Sequence, residues 1–87
     1  SINYDDILFF ETSCNPHKVI LHAAGRQIEF FSTIKELTNA LDGDFVRCHR
    51  SFQANKKNIK EANTKNRIIY FTNGETCPMS TRKMKGL

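Results

Sequence analysis

The sequence predicts a mostly-β, antiparallel domain with one short helix. Three observations carry this expectation. Apolar residues alternate with polar ones, or gather in short runs, over most of the chain. Turn-forming breaks at Asn15-Pro16, Gly25 and Asn73-Gly74 separate those runs. Helical spacing of apolar residues appears in one stretch, after Thr33.

The first element is "ILFFETS", Ile7 to Ser13, whose four consecutive apolar residues predict a strand covered on both faces. Pro16 cannot donate to a ladder and ends it. "KVILHAA" resumes as a strand with Val19, Leu21 and Ala23 on one face. Gly25 supplies a tight turn, and "RQIEFFS" returns with Ile28 and Phe30 inward, completing a hairpin. Thr33 with Glu36 then forms a capping-box pattern, and Ile34, Leu37 and Leu41 repeat at helical spacing. Gly43 stands where a left-handed terminating residue belongs, which bounds a helix over about 33–42.

The remainder reads as β. In "FVRCHRSF", strict alternation would carry Arg50 to the core side with Val46 and Cys48. Burying an unpaired guanidinium is costly, so the strand is expected to turn near His49 and release Arg50 outward. Ile59 sits in a short weak strand and "NTKN" turns. "RIIYFTNGETCPMS" predicts a hairpin around Asn73-Gly74, expected as a type I′ turn. Pro78 confines the returning strand to an edge or ends it there. The count is seven to nine short strands and one helix in a single domain.

Eighty-seven residues allow only a modest core. No apolar run approaches the roughly 18 residues of a membrane-spanning helix. The chain opens at Ser1 without a methionine, as expected of a piece of a longer protein. Three widely spaced cysteines, Cys14, Cys48 and Cys77, do not make a secreted disulfide framework, so a cytoplasmic location is expected. Cys48 and Cys77 read as small buried apolar residues; facing one another, they would form a redox-sensitive pair.

Charge is segregated. Residues 1–45 carry three basic against seven acidic side chains, a net −4; residues 46–87 carry ten against two, a net +8. A basic half is the footprint of a phosphate-binding surface, or else a solvated face with no partner. Catalysis finds little support. Cys48 and His49 are sequence neighbours that a strand points to opposite faces, and Cys14 and His17 have no oxyanion loop nearby. Cys14-x-x-His17 is half of a zinc knuckle without its other half, so no metal or other cofactor is expected. The aromatics sit at core-like positions, which argues against a single-strand stacking platform. What remains is basic residues at strand ends: His17 and Lys18 after Pro16, Arg50 and Ser51 leaving a strand, and Arg82 and Lys83 after "PMST". Arginine suits bidentate contact with guanine or phosphate, and rigid strands can present such loops to duplex grooves. The competing reading is a β-rich module that binds protein or peptide along a sheet edge.

The stretch "FVRCHRSFQANKKNI", Phe45 to Ile59, resembles the central signature of LytTR DNA-binding domains: an aromatic, Arg, His-Arg-Ser-aromatic, then Asn and a downstream Ile. "YDDILFFETS" resembles the family's opening, "FFSTIKELTNAL" its single helix, and "NGETCPMSTRKMKGL" its last hairpin and Arg-containing loop. The whole looks like the output domains of Gram-positive quorum-sensing response regulators. Two departures stand out: family members usually carry one more N-terminal strand or hairpin, and Ala54 stands where the family tends to have Val.

The resemblance implies an elongated stack of short antiparallel sheets with one flanking helix. It also implies loops that enter two successive major grooves and the intervening minor groove. Matched by position, His17, Arg50 and Arg82 would contact bases, Arg50 in the minor groove. Lys18, Ser51, Asn55, Lys56 and Lys83 would contact phosphates, with a structural role the equal alternative for Asn55. Implied partners are double-stranded promoter DNA, at repeated sites bound by two copies, and a receiver domain in the full-length protein; no membrane is involved.

Overall fold

The computed structural model describes residues 2–41, 43–80 and 82. Among the described residues, eight strands form two antiparallel sheets. The larger contains β1 (Ile7–Thr12), β2 (Lys18–Ala23), β3 (Arg26–Phe31), β4 (Phe45–His49) and β5 (Phe52–Asn55), in the order β3-β2-β1-β5-β4. The smaller contains β6 (Ile59–Asn63), β7 (Ile68–Phe71) and β8 (Thr76–Pro78), in sequence order. One helix, α1 (Ile34–Ala40), and two single 3-10 turns, Tyr4–Asp6 and Lys56–Asn58, complete the described elements. The molecule measures 32 × 24 × 24 Å.

β1 explains the architecture. As the central strand of the larger sheet it is covered on both faces, and Ile7, Leu8, Phe9 and Phe10 are all buried. Strict alternation would send Ile7 and Phe9 to one side. A register shift between them in the β1–β2 pairing changes this. Leu8 and Phe9 both join the cluster of Cys48, Ala54, Ile69, Phe71, Cys77 and Met79, which welds the two sheets. Ile7 and Phe10 join Val19 and Ile34 in a second cluster, where Leu37 and Leu41 press the helix onto the opposite face.

The expected hairpin of β2 and β3 forms with full register from Lys18↔Phe31 to Ala23↔Arg26. Thr33 caps α1, its hydroxyl accepting from Glu36 N at 3.1 Å. The helix ends at Ala40, two residues short of the expected limit, because Leu41 already has extended backbone. Gly43, at φ 64°, then turns the chain toward β4.

The β7–β8 connection is not a type I′ turn. That turn requires positive φ at both central residues, and here Gly74 has φ 92° while Asn73 does not share it. Phe71 N donates to Glu75 O at 2.8 Å and Gly74 N to Phe71 O at 3.0 Å. The loop is therefore three residues long, with glycine supplying the left-handed position. Pro78 ends β8, an edge strand, as its missing N–H demands.

Candidate nucleic-acid interface

Three segments carry the residues expected at bases, His17, Arg50 and Arg82, and backbone hydrogen bonds join their approaches. β1 ends at Thr12, whose N–H donates to Ser51 O at 2.9 Å. The β1–β2 loop and the β4–β5 turn therefore leave the larger sheet at the same end. Beyond β8, Ser80 N donates to Cys48 O at 2.7 Å, one residue before the end of β4. The segment leading to Arg82 thus crosses beside the root of the Arg50 turn.

The β1–β2 loop is held from beneath by Glu29 of β3. Its carboxylate accepts from the Ser13 hydroxyl and, at 3.0 Å, from Asn15 Nδ2. Asn15 N also donates to Ser13 Oγ at 3.0 Å. The Ser13 hydroxyl, then the Asn15 amide, hold the Glu29 carboxyl below the usual carboxylate range. The chain leaves this clamp through Pro16 and reaches His17, which is exposed and left-handed at φ 61°. Ser32 N donates to His17 O at 3.0 Å and fixes that conformation. Lys18 places its ammonium 4.7 Å from the centre of the Phe31 ring, an exposed aromatic on the neighbouring strand.

The β4–β5 turn consists of Arg50 and Ser51, between the paired residues His49 and Phe52. β4 stops at His49 and Arg50 is exposed, as the cost of burying it requires. Arg47 donates from its guanidinium to Arg50 O at 2.8 Å, and Ser51 N donates to His49 Nδ1 at 3.1 Å. Arg82 is exposed in a turn, and Lys83 lies outside the described residues.

Two neighbouring positions differ in fate. Lys56 is exposed, in the 3-10 turn after β5. Asn55, expected at a phosphate, is buried instead: its Nδ2 donates to Tyr4 O at 3.0 Å and Ile7 O at 2.9 Å, and its Oδ1 accepts from Lys57 N at 3.1 Å. Its amide pins the N-terminal segment to the end of β5 and has no face toward solvent. Lys57 is paired with Asp5 at 3.2 Å and Asp44 at 3.4 Å, and these partners raise its pKa.

The two cysteines read as buried apolar residues are buried, and they face each other. Cys48 and Cys77 are buried free cysteines with Sγ atoms 3.9 Å apart, one from each sheet. The hydrogen bond to Cys48 and burial push the Cys77 thiol up. Among the described residues no cluster of three or more His, Cys, Asp or Glu could hold a metal, and no helix is long and apolar enough to cross a membrane.

The sequence reading missed the clamp residues Ser13, Asn15 and Glu29. A serine and an asparagine just after a strand and just before a proline carry the local signal for a side-chain-bonded turn. Their partner, 14 to 16 residues away, has no such signal.

All 87 residues match the family described as LytTr DNA-binding domain. The chain belongs to that family. Over 84 residues it is 50% identical to accessory gene regulator protein A of Staphylococcus epidermidis and 49% identical to that of Staphylococcus aureus. Each match covers 97% of this chain and 35% of the relative, so the LytTr domain spans about a third of the length of these curated proteins. A solved LytTr DNA-binding domain from Bacillus cereus superposes with a TM-score of 0.80 over 95% of this chain and 78% of its own, at 24% identity. That likeness establishes the LytTr fold for the two-sheet arrangement described above.

Proposed function

We propose that this LytTr domain is the output module of a two-component transcriptional regulator and that it reads duplex DNA with three loops. The reading rests on family membership together with one geometric fact. The β1–β2 loop and the β4–β5 turn, each with an exposed basic residue, are tied by the Thr12–Ser51 bond at one end of the larger sheet, and the Ser80–Cys48 bond anchors the segment before the exposed Arg82 beside them. His17 and Arg82 approach base edges in successive major grooves, and Arg50 enters the minor groove between them, where a narrow groove attracts a guanidinium. Lys18, Ser51, Lys56 and Lys83 contact phosphates and set the register. Two copies occupy repeated sites in promoter DNA, in the cytoplasm, under control of a receiver domain in the full-length protein. The Cys48–Cys77 pair makes the seam beneath two of the loops sensitive to oxidant.

A gel-shift titration of the domain with duplex DNA at two salt concentrations tests this reading. Nanomolar to micromolar binding that weakens steeply with salt and prefers one sequence supports it. Equal affinity for any duplex reduces the basic half to a solvated or nonspecific face, and no binding returns the sheet-edge interaction module.

A further inference from the structure

The β4–β5 turn adopts a backbone that a two-residue hairpin does not favour. Two-residue hairpin loops prefer types I′ and II′, which place at least one central residue at positive φ and match the twist of the strands. Arg50 and Ser51 are the two central residues here. Among the described non-glycine residues only His17 and Arg67 have positive φ, so the turn is unprimed. An unprimed turn splays its strands, and the register shift between Val46 and His49 in the β4–β5 pairing absorbs the mismatch.

Two side chains then hold what the backbone alone would release. Arg47 donates to Arg50 O at 2.8 Å in an exposed bond, while its Nε is buried with no partner among the described residues. His49 Nδ1 accepts from Ser51 N at 3.1 Å, the i to i+2 pattern of an Asx turn, while its ring stands edge-on to Phe52 at 5.6 Å between centroids. A third backbone group of the tip, Ser51 O, is held by Thr12 N at 2.9 Å. The carbonyl of Arg50 and both backbone groups of Ser51 therefore each have a fixed partner.

We propose that Arg47 and His49 are positioning residues: they fix the Arg50–Ser51 turn in advance and so aim Arg50 at DNA without touching the duplex. This rests on the reading of Arg50 as a DNA contact. Preorganisation of this kind raises affinity by removing an ordering cost from the binding step.

The test uses His49→Phe, which keeps a ring and removes the acceptor, and His49→Asn, whose Oδ1 can accept from the same N–H. Arg47→Met supplies an independent second variant. Two readouts apply to the 87-residue domain: hydrogen exchange at the Ser51 amide without DNA, and affinity for the selected duplex as a function of salt. His49→Phe is expected to speed Ser51 exchange and to weaken binding by about fivefold, the size of one lost hydrogen bond. The salt slope should not change, because no phosphate contact is removed. His49→Asn should restore both quantities to within about twofold of wild type, and Arg47→Met should weaken binding with an unchanged slope. Wild-type affinity in His49→Phe and Arg47→Met, or an Asn variant as weak as Phe, overturns the proposal. A slope reduced by about one makes His49 or Arg47 a phosphate ligand instead. Should wild type ignore duplex DNA altogether, the functional reading fails, while Ser51 exchange still reports whether the clamp exists.

Discussion

Cys48 and Cys77 face each other across the seam between the two sheets, Sγ to Sγ 3.9 Å, both shut off from solvent. The same Cys48 accepts from Ser80 N through its carbonyl oxygen. The root of the Arg50 turn and the approach to Arg82 are thus joined at one residue. With peroxide, Cys48 is expected to attack oxygen to give a sulfenic acid and one water. The Cys77 thiol then displaces the second water as the disulfide forms. Two thiols are oxidised and one peroxide is reduced to two waters. In a Cys14→Ser background, peroxide should remove both remaining thiols without cross-linking chains, and duplex affinity should fall and recover with dithiothreitol. Cys77→Ser should bind with or without peroxide. Affinity that is indifferent to complete oxidation removes the pair from regulation.

Arg82 and Lys83 should separate by kind. Arg82→Ala is expected to cost about 1–3 kcal/mol on the cognate duplex and to relax preference at its bases. An equal loss on random duplex would make Arg82 a phosphate ligand. Lys83→Ala should weaken cognate and random duplexes alike and flatten the salt slope by about one, read from titrations at several salt concentrations.

Asn55→Ala should act on the fold and not on the DNA. It removes three hydrogen bonds of a buried amide, to the carbonyls of Tyr4 and Ile7 and from the N–H of Lys57, leaving Ile7 O with Asn58 Nδ2 and Tyr4 O with Ile7 N. The expected loss of stability in urea unfolding is about 2–4 kcal/mol. Under conditions where the variant stays folded, its salt slope should equal that of wild type; a flatter slope would put Asn55 back at a phosphate.

Glu29 predicts a pH response of the His17 loop. Its folded pKa lies below the ordinary carboxylate value because Ser13 and Asn15 donate to the ionised form. The clamp is therefore fully present above the unfolded pKa and weakens as pH falls through the depressed folded value. Amide exchange at Asn15 should accelerate below the usual carboxylate range, and Glu29→Gln should show accelerated exchange already at neutral pH. Protection in Glu29→Gln equal to wild type would show that the loop does not depend on this charge.

Much of this was legible in residue order because the signals are local. Four apolar residues from Ile7 predict a strand covered on both faces, and the Thr33–Glu36 pattern predicts the helix start. Releasing Arg50 at a strand end followed from the cost of burying its charge. The failures are nonlocal. Asn73-Gly74 signals a hairpin, but loop length depends on Phe71 pairing with Glu75, which no dipeptide encodes. Asn55 has the chemistry of a phosphate ligand, and only the arrival of Tyr4, 51 residues away, makes it a buried cap. His22 alternates like any strand residue, yet it is buried, stacked on Phe9 at 4.3 Å and bonded to Glu11 at 2.6 Å.

Selection of bound sites from a random duplex library, run in parallel with wild type and Arg82→Ala, tests the three-loop reading most directly. The account predicts two informative blocks about one helical turn, roughly 10 base pairs, apart, with Arg82→Ala erasing one block and sparing the other. Enrichment of no common sequence, or uniform fading of both blocks in the variant, would contradict it.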